Sequence, residues 1–123
     1  MNTFRLRIVT PASDFYTGDI EYMSADTVDG RIGFMRGALP RVCILSAGVI
    51  EIKTSVISQR VLCGDGLISV GRDGITVLSE RCRFEGDDED RSDEMYDEHG
   101  ERYDEMKAEL ATSFKKMKKR PHS

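Results

Sequence analysis

Apolar and polar residues alternate from the start of the chain. Phe4, Leu6 and Ile8 alternate with Arg5 and Arg7, the period-2 pattern of a strand with one face buried. Thr10-Pro11-Ala12-Ser13 ends it. Asp19 to Thr27 reads as a second strand, with Ile20 and Tyr22 on one face and Glu21 and Met23 on the other. Arg31 to Met35 pairs back across Asp29-Gly30, a two-residue hairpin signal of the kind that takes positive φ at both positions. Gly37-Ala38-Leu39-Pro40 turns the chain, and the proline biases Leu39 towards extended geometry. Arg41 to Leu45 is a short apolar run. Gly48 opens a segment in which Ile50 and Ile52 share a face. Val56 to Cys63 follows, and then Leu67–Val70 and Ile75–Ser79 form a hairpin across Gly71-Arg72-Asp73-Gly74. Eight or so short strands, cut by turn glycines, predict a β-sandwich or barrel-like domain over residues 1–84.

After Phe84-Glu85-Gly86 the period changes. Tyr96, Tyr103, Leu110 and Met117 recur every seven residues, with His99, Met106 and Ser113 at the complementary positions and Phe114 beside the last. This is an a/d seam of about three heptads. Ser92 suits an N-cap, Asp93 and Glu94 suit the first turn, and Lys115, Lys116, Lys118 and Lys119 suit the last. Residues 85–123 are therefore expected to be helical. Gly100 leaves two forms open, a short helical hairpin turning there or one helix over Ser92–Lys119, about 42 Å long at 1.5 Å per residue. The unbroken seven-residue register favours the second. Asp97, Glu101 and Glu105 repel at i,i+4 spacing. Such a helix is marginal alone and requires a partner surface, its own domain or another subunit.

Charge supports the same boundary. Residues 1–84 hold 10 Lys/Arg against 9 Asp/Glu, residues 85–109 hold 3 against 13, and residues 110–123 hold 5 against none. A nearly neutral domain is thus followed by an acidic stretch and a basic end. Cys43, Cys63 and Cys82 form no Cys-x-x-Cys, lie in apolar runs and are odd in number. Buried, reduced thiols in a cytosolic protein are the expectation. No stretch has the length of a signal-peptide core or a bilayer span, which predicts a soluble or peripheral protein.

Candidate chemistry is sparse. Residues 1–84 contain neither histidine nor tryptophan, and the chain's histidines are His99 and His122. That excludes a Ser-His-Asp, Cys-His or histidine metal site within the β-domain and points away from an enzyme. The acidic run from Asp87 to Glu94 lacks the glycine of an EF-hand loop, since Asp93 stands sixth from Asp88. The Lys115–Arg120 cluster is short and adjoins carboxylates that repel phosphate. An acidic protein surface is therefore a better partner for it than nucleic acid. The glycines around Asp65 and Arg72-Asp73 are each followed by a strand, not by the helix that a phosphate-binding loop needs.

An ordered set of stretches resembles the ε subunit of F-type ATP synthases (δ in mitochondrial naming). They are Phe4–Pro11, Phe15–Asp19, Asp29–Gly33, Gly37-x-x-Pro40, Gly48–Ile52, Gly64-x-Gly66 through Val70, and Asp73–Leu78. The resemblance covers residues 4–84. It implies a flattened β-sandwich followed by a C-terminal helical region, in a non-catalytic subunit with no cofactor. It places that subunit at the foot of the central stalk, bound to the γ subunit and the membrane ring of c subunits, on the cytoplasmic face of a bacterial membrane. The helical region would reach the catalytic α/β subunits and restrain ATP hydrolysis. By this resemblance Arg31, Phe34, Met35, Ala38 and Leu39 are candidates for the c ring and γ, and Lys115, Lys116, Lys118 and Lys119 for the catalytic head. Ala38-Leu39 stands where the family often has histidine, which implies an apolar contact. Asp88, Arg91 and Ser92 match in part the Asp-x-x-Arg-Ala nucleotide motif of some members, but the surrounding carboxylates oppose a polyphosphate. The alternative is an unrelated β-sandwich adaptor whose seam at Tyr96, Tyr103, Leu110 and Met117 dimerises as a coiled coil.

Overall fold

A computed structural model describes residues 2–86 and 98–118, with side chains over 2–86 and 102–112. Ten strands form one sheet that folds over on itself: β1 (Phe4–Val9), β2 (Asp14–Ile20), β3 (Tyr22–Thr27), β4 (Gly30–Phe34), β5 (Arg41–Leu45), β6 (Gly48–Lys53), β7 (Ser58–Cys63), β8 (Gly66–Val70), β9 (Gly74–Ser79) and β10 (Cys82–Phe84). The order is β10-β7-β6-β3-β5-β8-β9-β1-β2, with β4 paired to β3. Every pairing is antiparallel except β1 with β9. The two end strands are brought together by Phe15 and Phe84, whose ring centroids lie 4.8 Å apart. The sheet is therefore nearly closed, which limits its exposed edge.

The predicted alternation fills the interior. Leu6, Ile8, Ile50, Ile52, Ile68 and Val77 point inward and are buried. The Asp19–Thr27 expectation needs correction. The chain forms two strands there, broken at Glu21, whose N–H donates to the Lys53 carbonyl at 2.9 Å. β2 pairs with β1 while β3 pairs with β4 and β6, so the chain changes neighbours at this corner and the alternation restarts. Ile20 and Met23 are consequently both core residues, and Tyr22 is not. Strands β2 and β10 exceed the sequence expectation.

The β3–β4 hairpin also differs from a turn with two positive φ angles. Its two loop residues are Val28 and Asp29, and Thr27 pairs with Gly30. Gly30 has φ +104°, and no described non-glycine residue has a positive φ. The Thr27 hydroxyl accepts from the Asp29 N–H at 3.1 Å and donates to the Gly30 carbonyl at 2.7 Å. This is a turn stapled by threonine and followed by a left-handed glycine.

The helix α1 (Glu98–Lys118) runs unbroken through Gly100, so no hairpin turns there. Its 21 residues span about 32 Å. Ser92, Asp93, Glu94 and Tyr96 lie outside the described residues. The inward seam is Tyr103, Met106 and Leu110, which pack on Val9 and Leu78. Those two belong to a single cross-strand row, Ile44–Leu67–Leu78–Val9, one residue from each of β5, β8, β9 and β1. Their neighbours along each strand face the core, so the row lies on the outside of the sheet. The partner surface that the marginal helix requires is its own domain.

Candidate docking face

One end of the sandwich gathers three connections. Phe34 and Ile52 flank Met23 on either side of β3, so the loop after β4 and the loop after β6 leave at the same end. Arg41 pairs with Val70, and Gly74 with Arg5, which brings the β8–β9 turn there too. A shallow cleft between Met35–Ala38 and Gly71–Arg72 marks their junction.

This end is apolar and open to solvent. Met35, Leu39, Val56 and Ile57 are 62%, 74%, 84% and 51% exposed. They make up four of the five large apolar side chains that are exposed among the described residues; the other is Val28, in the turn at the opposite end. The loops holding them are built, not slack. Ala38 N–H donates to the Met35 carbonyl at 3.1 Å, and Gly37 has φ +88°, a backbone that side chains other than glycine rarely accept. Val56 and Ile57 are presented by the Thr54 hydroxyl, which accepts from both of their N–H groups at 3.3 and 3.1 Å. A rigid loop that holds apolar side chains in water is the construction expected of a docking surface.

The five residues grouped on sequence grounds separate in space. Met35, Ala38 and Leu39 come together on this end. Phe34 is fully buried beneath it, with the Arg41 guanidinium 5.4 Å from its ring centre; it supports the loop and has no surface to offer. Arg31 lies towards the other end of β4, on the outer face of the sheet. Its Nη1 donates to Asp26 Oδ1 at 3.0 Å and to the Val49 carbonyl at 2.9 Å, and its Nη2 donates to Ser24 Oγ at 2.9 Å. Glu51 accepts an ion pair from it at 3.7 Å and from Arg60 at 3.1 Å, and Arg60 reaches Glu85 at 2.8 Å. The resulting chain of ion pairs, Asp26–Arg31–Glu51–Arg60–Glu85, alternates in charge, draws on β3, β4, β6 and β7, and ends just past β10. The Arg31 hydrogen bond, helped by the Val49 N–H, holds the Asp26 carboxyl below its ordinary value.

Lys115, Lys116 and Lys118 fall in the last turns of α1, with side chains outside the described residues; Lys119, Asp88 and Arg91 lie wholly outside them. Val56 and Ile57 were missed as surface residues because an apolar pair reads as the start of β7. The only signal against that was Thr54-Ser55 before them, a side-chain turn former.

No three His, Cys, Asp or Glu side chains converge as metal ligands would, among the described residues. No helix among them is long and apolar enough to cross a membrane. The class defined by the fold is a β-sandwich that carries a helix packed on its outer face. Residues 3–85 match the family "ATP synthase, Delta/Epsilon chain, beta-sandwich domain", and the chain belongs to it. The ATP synthase epsilon chain of Syntrophomonas wolfei is 30% identical over 111 residues, 89% of this chain and 70% of that one. The epsilon chain of Alkalihalophilus pseudofirmus is 30% identical over 84 residues, 68% of this chain. The match spans 63% of the length of that relative, under two thirds. Among solved structures, a chain of the central stalk and c ring of the Tetrahymena thermophila mitochondrial ATP synthase shares the fold. Its TM-score is 0.58 at 12% identity, over 89% of this chain and 94% of that one.

Proposed function

We propose that this chain is a non-catalytic subunit of the central stalk of a rotary F-type ATP synthase. In this role it couples the catalytic head to the c ring during ion-driven ATP synthesis. The observation that carries the proposal is the apolar end face, Met35, Leu39, Val56 and Ile57, on a sandwich of this family. A rotor subunit must hold a partner under torque without performing chemistry, and fixed apolar loops suit that task. Met35, Ala38 and Leu39 face the c ring in this account, and the outer face of the sheet around Arg31 meets γ. The lysines at the end of α1 reach acidic surface on the catalytic α/β subunits when the helix leaves its sheet and restrains hydrolysis. The complex places the chain at the cytoplasmic face of a bacterial membrane. Nucleotide binding through Asp88 and Arg91 is not part of this proposal.

The test is binding to a purified γ–c-ring subcomplex. Leu39→Asp puts a charge where an apolar side chain is to be desolvated, so affinity should fall about 30-fold or more. The thermal midpoint of the free chain should hold, because Leu39 is exposed. Unchanged affinity would move the interface elsewhere. The dimeric adaptor is disfavoured by one feature: Tyr103, Met106 and Leu110, the middle of the seam, are already covered by the chain's own sheet. Sedimentation as a stable dimer at low concentration would reinstate it.

A further inference from the structure

Cys63 and Cys82 stand directly opposite each other on β7 and β10. Both are buried, both belong to the main core cluster, and both thiols are free. The hydrogen bonds around them define the type of site. Gly64 N–H donates to the Arg81 carbonyl at 2.9 Å, and Glu85 N–H donates to the Arg60 carbonyl at 2.8 Å. In an antiparallel ladder hydrogen-bonded pairs alternate with non-bonded ones, so Gly64/Arg81, Leu62/Arg83 and Arg60/Glu85 are the bonded pairs. Cys63/Cys82 is a non-bonded pair. At such sites the Cα atoms are about 4.5 Å apart and the side chains approach most closely. That separation falls within the range a disulfide spans.

The surroundings of the pair bear on its reactivity. Burial pushes the Cys63 thiol up to about 11 and the Cys82 thiol up to about 12, and each cysteine is held by a neighbour, Cys63 by the Ser46 carbonyl and Cys82 by Ser79. Thiolate is therefore scarce while β10 stays paired. β10 is a three-residue strand at one end of the sheet order, paired with β7 alone. Besides that ladder and the packing of Cys82 and Phe84 on the core, its holds include the Phe15–Phe84 ring contact and the Arg60–Glu85 ion pair at the strand's exit. Short edge elements of this kind open locally well below the cost of global unfolding.

We infer that Cys63 and Cys82 are a dithiol–disulfide pair that latches β10 onto β7. The oxidant is a low-molecular-weight disulfide. When β10 opens, one cysteine thiolate attacks a sulfur of that disulfide, forming a mixed disulfide and expelling one thiolate. On reclosure the second cysteine, as thiolate, attacks the protein-bound sulfur of the mixed disulfide and expels the other. Two protein thiols are oxidised, one small disulfide is reduced to two thiols, and two protons leave the protein. A thiol reductant reverses each step. The latch acts on the tether of α1, since β10 is the last strand before the helix. Freed from the sheet, Cys82–Gly86 would add about 16 Å of reach; oxidised, Cys82 stays fixed to β7 and only the residues after it can peel away. The inference rests on the β7–β10 register and not on the stalk assignment.

The experiment uses the whole chain, folded, with oxidised glutathione at pH 8, followed by non-reducing peptide mapping. The expected product is a single intramolecular Cys63–Cys82 link with Cys43 still a thiol. In Cys82→Ser, the expected product is a mixed disulfide of glutathione on Cys63. Amide exchange of β10 should slow about tenfold or more in the oxidised chain and recover on reduction. Glutathione retained on both Cys63 and Cys82, a link involving Cys43, or both thiols unreacted after the β10 amides have exchanged would each overturn the pair. A Cys63–Cys82 link that leaves β10 exchange unchanged would overturn the latch.

Discussion

Tyr103→Ala tests whether α1 is held by three side chains. Tyr103 is 2% exposed, while Met106 and Leu110 are only partly buried beside it. Its ring rests over Leu78 and Val9 in the smaller cluster, separate from the main core. A fully buried side chain of this size contributes about 2–3 kcal/mol in apolar burial. Among the described side chains, the Lys107–Glu80 ion pair is long, at 3.6 Å, and well exposed, so it contributes well under about 1 kcal/mol. Truncation should therefore shift the docked–undocked equilibrium of the helix by about 30- to 150-fold. Because the helix is weak when isolated, undocking should also melt it. Hydrogen exchange and far-UV circular dichroism read both effects: amides of 103–112 should exchange faster by that factor while those of β1, β6 and β9 hold. Unchanged helix protection would show that the seam does not hold the helix. Equal loss in the sheet would show that helix and sandwich unfold as one unit.

Other expectations follow from single sites. Gly66→Ala should cost more than about 2 kcal/mol in urea denaturation, because a Cβ there would overlap the Leu78 carbonyl, a backbone atom with nowhere to move. Arg31→Ala should cost about 1–2 kcal/mol by the same assay, since it removes several partly exposed hydrogen bonds at once. Asp26 has a depressed folded pKa, so its contribution is present above its unfolded value and is lost as pH falls through the folded one. Arg31→Ala should flatten the acid side of the stability profile below about pH 4. The buried thiols act with the opposite sign: raised to about 11 and 12, they stabilise below pH 9, and the urea midpoint should fall as pH climbs from there. A Cys63→Ala/Cys82→Ala chain should lose that alkaline slope.

Strands with one wet face were legible, because alternation alone specifies them. β1, β6 and the β8–β9 hairpin came from it directly. The corner at Glu21 was not legible: Asp19–Thr27 looks like one strand until it is known that β2 and β3 pair with different neighbours. The seam of α1 was read correctly at Tyr103, Met106 and Leu110, but its partner was left open. A signal existed, since Ile44, Leu67 and Leu78 are apolar at positions where the alternation calls for polar residues. Such breaks on adjacent strands imply a covering layer. The burial of Phe34 and the charge row from Asp26 to Glu85 depend on which strands lie side by side, and no local pattern encodes that order.

Binding of the full chain to a γ–c-ring subcomplex, with Leu39→Asp and Lys53→Ala run beside it, tests the central claim most directly. The account predicts a one-to-one complex that Leu39→Asp weakens about 30-fold and that Lys53→Ala, at the edge of the apolar end, leaves nearly intact. A wild-type chain that does not bind, or a complex indifferent to Leu39→Asp, would contradict it.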